Sequence, residues 1–433
     1  MDARGLHVNQ SAVQKYARRC KTVRKKFCEI CRDMIKHFKN FLWSPGAAMK
    51  NNSLKLFANN FSGTVLALLA GALGCGYAPV ARGQAAAPTS AVAHEKNYSQ
   101  AEQHAQAVAK SLLSRGIPGL SVAVAVDERI VYSEGFGYAD LEERVPVWAT
   151  TKFRIGSVSK PLTAVALVQL VEQGKIDLDA PVQKYVPSFP DKGAKITTRM
   201  LAGHLGGIRH YKDDEFLIAK HYDNVVEGLK IFQDDPLVSP PGTKFNYSSY
   251  GFNLVSAVIQ GASGEDFLTY MHEHVFGALG LRSTVEDQPA EIIEQRARFY
   301  SRPKDEALRN APFVDNSYKW AGGGFLSSAE DLARFGAALL QPGILKPESL
   351  RLLFTSQKTS DGKETGYGMG FFIHPSKSGQ RVFEHSGGSA GGSSQLILYP
   401  DARVVVAMIC NFEGEGGWLR EDIESIGEAF EKK

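Results

Sequence analysis

The sequence predicts an α/β (α+β) fold in which one antiparallel sheet, built from both ends of the chain and flanked by helices, carries an inserted, mostly helical domain. Three observations point there. GLSVAVAV and RIVYSEGFG, from residue 119 on, read as two strands joined at Asp127 and Glu128. RVFEH, SSQLILYP and ARVVVAMICN, after residue 380, read as three more. Between them, from about 175 to 320, the pattern is short helices and loops without strand alternation.

The chain has 433 residues, enough for one large or two ordinary domains with a full core. Its net charge of +4 hides an asymmetry, because residues 1–60 carry 13 Lys and Arg against 3 Asp and Glu. The remainder is therefore mildly acidic, which gives no support to nucleic-acid binding. Cys20, Cys28, Cys31 and Cys75 all precede residue 76, and Cys410, in the apolar run VVVAMIC, is expected in the core. Cys28 and Cys31 form a lone C-x-x-C with no second pair, so neither a metal nor a redox centre is expected there.

Residues 1–48 read as a basic upstream extension and 49–87 as a leader. Met49 opens a short basic run, Phe61 to Ala78 is apolar with small residues, and ARGQAAAPTSA follows. Three readings stay open: cleavage near Ala78 or Ala85, a lipoprotein-like site at Cys75, or an organelle presequence followed by a membrane anchor. After a linker over 88–97, the working domain spans 98–433. Ser99 and Glu102 predict a capping box opening a helix that ends near Gly116. The strand pair follows, then an apolar helix that starts close to Ser157 and stops at Gly174. PPGTKFNYSSYGFNLVSAVIQGASG predicts a Pro-Gly turn, an apolar helix and a Gly stop. A last amphipathic helix is expected from Trp418 to Phe430.

The chemistry concentrates in three segments. In FRIGSVSKPLTAVALVQLVEQGK, Ser157 and Lys160 leave one face of a helix start, so a hydroxyl and an amine are aimed at one spot. Pro161 is tolerated only near a helix start, and a serine there has its own backbone N–H free to receive an oxyanion. Ser301–Lys304 and Ser360–Lys363 repeat the S-x-x-K spacing, but Pro303 and the Asp361-Gly362 turn keep them off helices. Tyr247, in FNYSSYG at the head of an apolar helix, offers a phenol that can accept a proton from serine and return it to a leaving group. Tyr222 is a rival, in a charged stretch. In FEHSGGSAGGSS, His385 is expected to end one strand, with a glycine-dense turn leading to the next and the N–H of Gly388 available as a second oxyanion donor.

This order and spacing resembles the serine β-lactamase and penicillin-binding family, in particular its class C-like branch of D-amino acid peptidases and esterases. HLGGIRHY, RARFY and VDNSYKWAGGGFLSS resemble the mitochondrial serine β-lactamase-like members and their bacterial relatives. The resemblance covers Lys96 to the C-terminus and implies a β-lactamase/transpeptidase-like fold. It implies Ser157 as acylated nucleophile, Lys160 as its proton acceptor, Tyr247 as a shared base that protonates the leaving group, and no metal or cofactor. His385 would stand where Lys-Thr-Gly members carry lysine, orienting the substrate carboxylate or Tyr247. The oxyanion hole would be the N–H groups of Ser157 and Gly388, and Ser249, Ser386 and Gly387 would meet the substrate. Ser249 replaces the asparagine of Tyr-x-Asn, which together with His385 argues against efficient β-lactam turnover. His204 and Arg209 are expected to be structural.

The expectation is an exported serine hydrolase acting on a small-molecule or peptide amide or ester. Its alternatives are an enzyme of peptidoglycan peptides or β-lactams, and a filament-forming protein that retains the fold, since mitochondrial members are associated with filaments. A periplasmic location, or the mitochondrial intermembrane space in a eukaryote, and a homo-oligomer would follow.

Overall fold

The computed structural model describes residues 96–304, 306–413 and 420–431. The basic extension, the leader and all but the last two residues of the linker lie outside them. One sheet of seven strands dominates: β1 Gly119–Val126, β2 Arg129–Asp140, β3 Val145–Pro146, β4 Phe372–Pro375, β5 Arg381–Ser389, β6 Gly392–Tyr399 and β7 Val404–Cys410. Their order is β3-β2-β1-β7-β6-β5-β4, with antiparallel neighbours throughout. The two chain ends therefore meet mid-sheet, where Ala123 of β1 faces Ala407 of β7. The β1–β2 turn is tight because Asp127 (φ 51°) and Glu128 (φ 72°) both adopt the left-handed conformation that suits the twist of a two-residue hairpin.

β1, β6 and β7 are buried on both faces, and the strand alternation sorts their side chains. Leu120, Val122 and Val124 pack with Val406 and Met408 beneath α1 (Ser99–Ser114) and α5 (Arg420–Glu431), joined by Tyr98, Ile423 and Phe430. Ala123, Ala125, Leu398 and Val405 face the other way, into the larger core. There α2 (Ser159–Glu172), α3 (Ser249–Ser263) and α4 (Ala329–Leu339) cover the sheet or stack outside it. Gly336 lets α4 close on the strands, since a Cβ there would stand 2.6 Å from Val405 Cγ1. α2 has almost no polar side, and its residues Ser159 to Val168 are all buried.

Several local expectations differ from what is observed. Ser99 lies inside α1 rather than capping it, and the cap residue, Tyr98, makes no side-chain cap bond. Ser157 sits in a 3₁₀ turn, Gly156–Val158, that leads into α2. The insertion is not wholly helical. Two-residue strands occur at Val285–Glu286, Tyr300–Ser301 and Arg309–Asn310, and the first pairs with Phe325–Ser327, which also pairs with Phe153–Arg154. Pairings this short leave no periodicity to read. His385 does not end its strand: β5 continues through Gly387 and Gly388, and the turn is made by Ala390 and Gly391 (φ 70°). Trp418, the expected start of the last helix, lies outside the described residues.

Candidate active site

Glycine geometry fixes where the turn bearing Ser157 meets the sheet. β4 pairs with β5 only from Arg381 to Glu384. Beyond that point the outer edge of β5 receives the turn bearing Ser157. A Cβ at Gly387 would stand 2.0 Å from the Ile155 carbonyl oxygen, and one at Gly156 (φ 48°) would stand 2.4 Å from that of Gly388. Only glycine allows this contact. A Cβ at Gly388, by contrast, would meet nothing within 4 Å, because it faces the cleft.

Lys160 is fully buried and its Nζ donates to three oxygens: Ser157 Oγ at 2.9 Å, Ser249 Oγ at 3.0 Å and the Gly322 carbonyl at 2.6 Å. Burial, and secondarily the Lys319 ammonium, pull Lys160 well below the ordinary lysine range. Tyr247 lies against the same amine, with Lys160 Nζ 4.9 Å from its ring centroid. Burial pushes its phenol well up, opposed by a hydrogen bond with Ser157. Ser157, Lys160 and Tyr247 thus converge. Tyr222 does not join them: it packs beside Tyr318 and Lys220, and its backbone N–H donates to Ser317.

Two imidazoles from HLGGIRHY set the head of α3. His204 Nδ1 accepts the N–H of Ser248 and His210 Nδ1 that of Ser249, each at 3.1 Å, so the two residues that follow Tyr247 are held by the imidazoles. His204 also lies 4.3 Å from Tyr247, centroid to centroid. Burial, then Lys160, push both histidines below their ordinary range, which keeps these nitrogens free to accept. Arg209 is tied to Glu215 and Asp235. Both His204 and Arg209 hold the loop.

His385 departs from expectation. It is buried, its Nδ1 donates to the Ser386 carbonyl at 2.7 Å, and its Nε2 accepts from the Tyr367 hydroxyl at 3.0 Å. Burial, then Lys160, lower its pKa to about 3. A neutral ring with both nitrogens engaged offers no cation to a carboxylate, and its polar partner is Tyr367 rather than Tyr247. Ser386 supplies that carbonyl, and Gly387 serves the close contact with Ile155. Of the residues expected to meet substrate, Ser249 lines the cleft.

The cleft, of about 190 Å³, is walled by Ser157, Ser249, Gly388 and Ser389 together with Tyr211, Phe216, Lys319 and Glu413. Lys319 and Tyr211 were not singled out from the sequence. Their signal was present in HLGGIRHY and NSYKWAGGG, where charged and aromatic residues interrupt small-residue loops. Lys319 is 2% exposed, and burial, then Arg154, pull it down to about 7 while Asp287 opposes them. The only group of described residues able to gather around a metal ion is Glu265, Glu273 and His274, none of which lines the cleft.

A model of the Beta-lactamase family matches residues 97–429. The human mitochondrial serine beta-lactamase-like protein LACTB is 35% identical over 408 residues, covering 70% of this chain and 74% of that protein. The octameric penicillin-binding protein homologue from Pyrococcus abyssi aligns with a TM-score of 0.63 at 27% identity, over 71% of this chain and 73% of that one. The D-stereospecific amidohydrolase from Streptomyces sp. aligns with a TM-score of 0.64 at 25% identity, over 75% of this chain and 98% of that one.

Proposed function

The chain belongs to the beta-lactamase family of serine hydrolases, and from that premise we propose that it cleaves an amide or ester through an acyl-enzyme on Ser157, acting as a peptidase or esterase. The observation that carries this reading is the buried Lys160 Nζ at 2.9 Å from Ser157 Oγ. Burial lowers the Lys160 pKa, and in its neutral form the amine takes the hydroxyl proton as Oγ attacks the substrate carbonyl. The N–H groups of Ser157 and Gly388 receive the oxyanion at the open edge of β5. Tyr247, on the other side of Lys160, passes a proton to the leaving group, and water then releases the acyl group by the same relay in reverse. Ser249, shorter than asparagine and already accepting from Lys160, favours peptides and esters over β-lactams.

Intact mass after incubating the whole chain with a fluorophosphonate, and separately with a penicillin, tests this. An adduct on Ser157 with the fluorophosphonate alone is expected. Adducts with both would favour an enzyme of β-lactams and peptidoglycan peptides. No adduct with either would remove the hydrolytic reading and leave a protein that retains the fold for assembly.

Two further assignments belong to this proposal. Residues 49–87 act as an export or organelle leader, in keeping with the mitochondrial name of one relative; a mature protein beginning at Met1 would overturn that. No helix among the described residues is long and apolar enough to cross a membrane. The protein self-associates, as its octameric relative does, and light scattering would detect it.

A further inference from the structure

The hydrogen bonds that His204 and His210 make at the head of α3 also fix which ring nitrogen carries the proton. A backbone N–H can only donate, so the Nδ1 that accepts it is bare, and a neutral imidazole then holds its hydrogen on Nε2. Both rings are therefore Nε2–H donors, and their surroundings separate them. His204 is 2% exposed, and its Nε2 is buried without a hydrogen-bond partner among the described residues, packed with the rings of Phe245, Tyr247, Phe252 and Tyr367. His210 is exposed and walls the cleft beside Ser157 and Ser249. Among the described residues nothing accepts from its Nε2–H, and acyl transfer gives that hydrogen no task.

The other polar side chains of the cleft are committed. Lys160 spends its donors on Ser157, Ser249 and Gly322. Ser249 accepts from Lys160 and is hydrogen-bonded to the Tyr211 phenol. Lys319 Nζ donates to the Phe216 carbonyl at 3.3 Å and otherwise faces rings, Phe216 at 4.3 Å and Tyr211 at 5.6 Å to the centroids. Glu413, when ionised, only accepts. His210 is left as the side-chain N–H that this wall offers to a ligand. Burial, then Lys160 and Lys319, lower its pKa to about 4, so the ring is uncharged at neutral pH. A neutral donor suits a carbonyl oxygen, whereas a carboxylate gains more from a cation.

We infer that His210 Nε2–H donates to a carbonyl oxygen of the substrate next to the bond cleaved, so that this enzyme prefers amides and esters with a second carbonyl, as peptides have, to simple acyl compounds. The inference rests on the hydrolase reading of the same cleft and names both its substrate class and the residue that reads it. The Ser249 N–H holds the ring by Nδ1, which leaves Nε2 oriented before the substrate arrives.

Two probe pairs, each differing in one ketone oxygen, test it on the whole chain. The 4-nitrophenyl esters of 4-oxopentanoic and pentanoic acid carry it on the acyl side; the butanoyl thioesters of 1-mercaptopropan-2-one and propane-1-thiol carry it on the leaving group. In at least one pair His210→Phe should lower the ketone-to-methylene ratio of kcat/KM by about 3- to 10-fold, mainly through KM, the range of one neutral hydrogen bond. His210→Gln, whose amide can donate from a similar position, should keep part of that ratio. A ring that merely supports Ser249 would slow both members of a pair alike, so a ratio unchanged in both pairs overturns the inference. Should His210→Phe fail to fold, calorimetry on Ser157→Ala decides, with 4-oxopentanamide against pentanamide and N-(2-oxopropyl)butanamide against N-propylbutanamide. Tighter binding of the ketone in either pair supports the contact, and equal binding in both overturns it. That measurement needs no turnover. It therefore separates failure of the carbonyl contact from failure of Ser157 to acylate, which the fluorophosphonate adduct reads.

Discussion

Lys160 and Lys319 are both buried, but their surroundings differ. Lys160 has three oxygens for its three donors, whereas Lys319 has one carbonyl and a set of ring faces. On the proposed mechanism acylation needs Lys160 neutral, so the labelling rate of Ser157 should climb with pH through the depressed pKa of Lys160 and level off well below the ordinary lysine range. Lys160→Met should slow fluorophosphonate labelling by roughly 10²–10⁴, the usual scale of a positioned general base. Wild-type labelling in that variant would remove Lys160 from the mechanism. For Lys319 the consequence appears in stability. Its pKa is about 7 when folded and about 10.4 unfolded, so between these values the unfolded chain binds a proton that the folded chain does not. Stability from this group is complete above the unfolded value and is lost as pH falls through 7. The Tm advantage of Lys319→Met over wild type should therefore grow from pH 10 to pH 7, and thermal unfolding at the two pH values measures it. A difference constant with pH would contradict that sign. Ser157, Lys160 and Tyr247 were legible in the sequence because each sits at the head of an apolar helix. Lys319 and Tyr211 were not, because they reach the cleft from irregular loops whose direction only tertiary contacts set.

At the level of elements, the glycines of β5 divide into two kinds that look alike in the sequence. FEHSGGSAGGSS reads as a turn by composition, yet its first pair lies within a strand. What keeps them extended is the neighbour: the turn at Ile155 to Ser157 presses on Gly387, while Gly388 opens to the cleft. Strand propensity carries no information about such a partner, which is why the strand end was misplaced. Gly387→Ala must drive a methyl into the Ile155 carbonyl, an overpacking that costs about 1–3 kcal/mol and shifts the turn bearing Ser157. Gly388→Ala meets no atom and should change stability by less than about 0.5 kcal/mol. Denaturant unfolding separates the two. Equal destabilisation would mean that the close contact does not position Ser157.

Across the whole molecule, the sheet is closed by the two chain ends, and helices from those ends cover it. The apolar runs of β1 and β7 made this legible, since strands buried on both faces read as unbroken hydrophobic stretches. The ribbon joining Phe153–Arg154, Phe325–Ser327 and Val285–Glu286 was not, because two-residue pairings between distant segments have no local signature. The same architecture makes α5 part of the core rather than an appendage. Ile423, Ile426 and Phe430 are at most 1% exposed, and the Phe430 ring lies 5.5 Å from Tyr98 of the N-terminal segment, so both ends cover one face of β1 and β7. Burying three such side chains contributes about 1.5–3 kcal/mol each, which approaches the roughly 5–15 kcal/mol that separates a folded domain from its unfolded chain. Deleting residues 420–433 should therefore abolish cooperative unfolding, while Phe430→Ala alone should cost about 3–5 kcal/mol. A chain starting at residue 96 keeps every helix and strand described here and should unfold in one transition. If the chain without α5 instead unfolds cooperatively and still labels at Ser157, the face of β1 and β7 away from the active site contributes little to the fold, and the central pairing of the two ends suffices to hold the cleft.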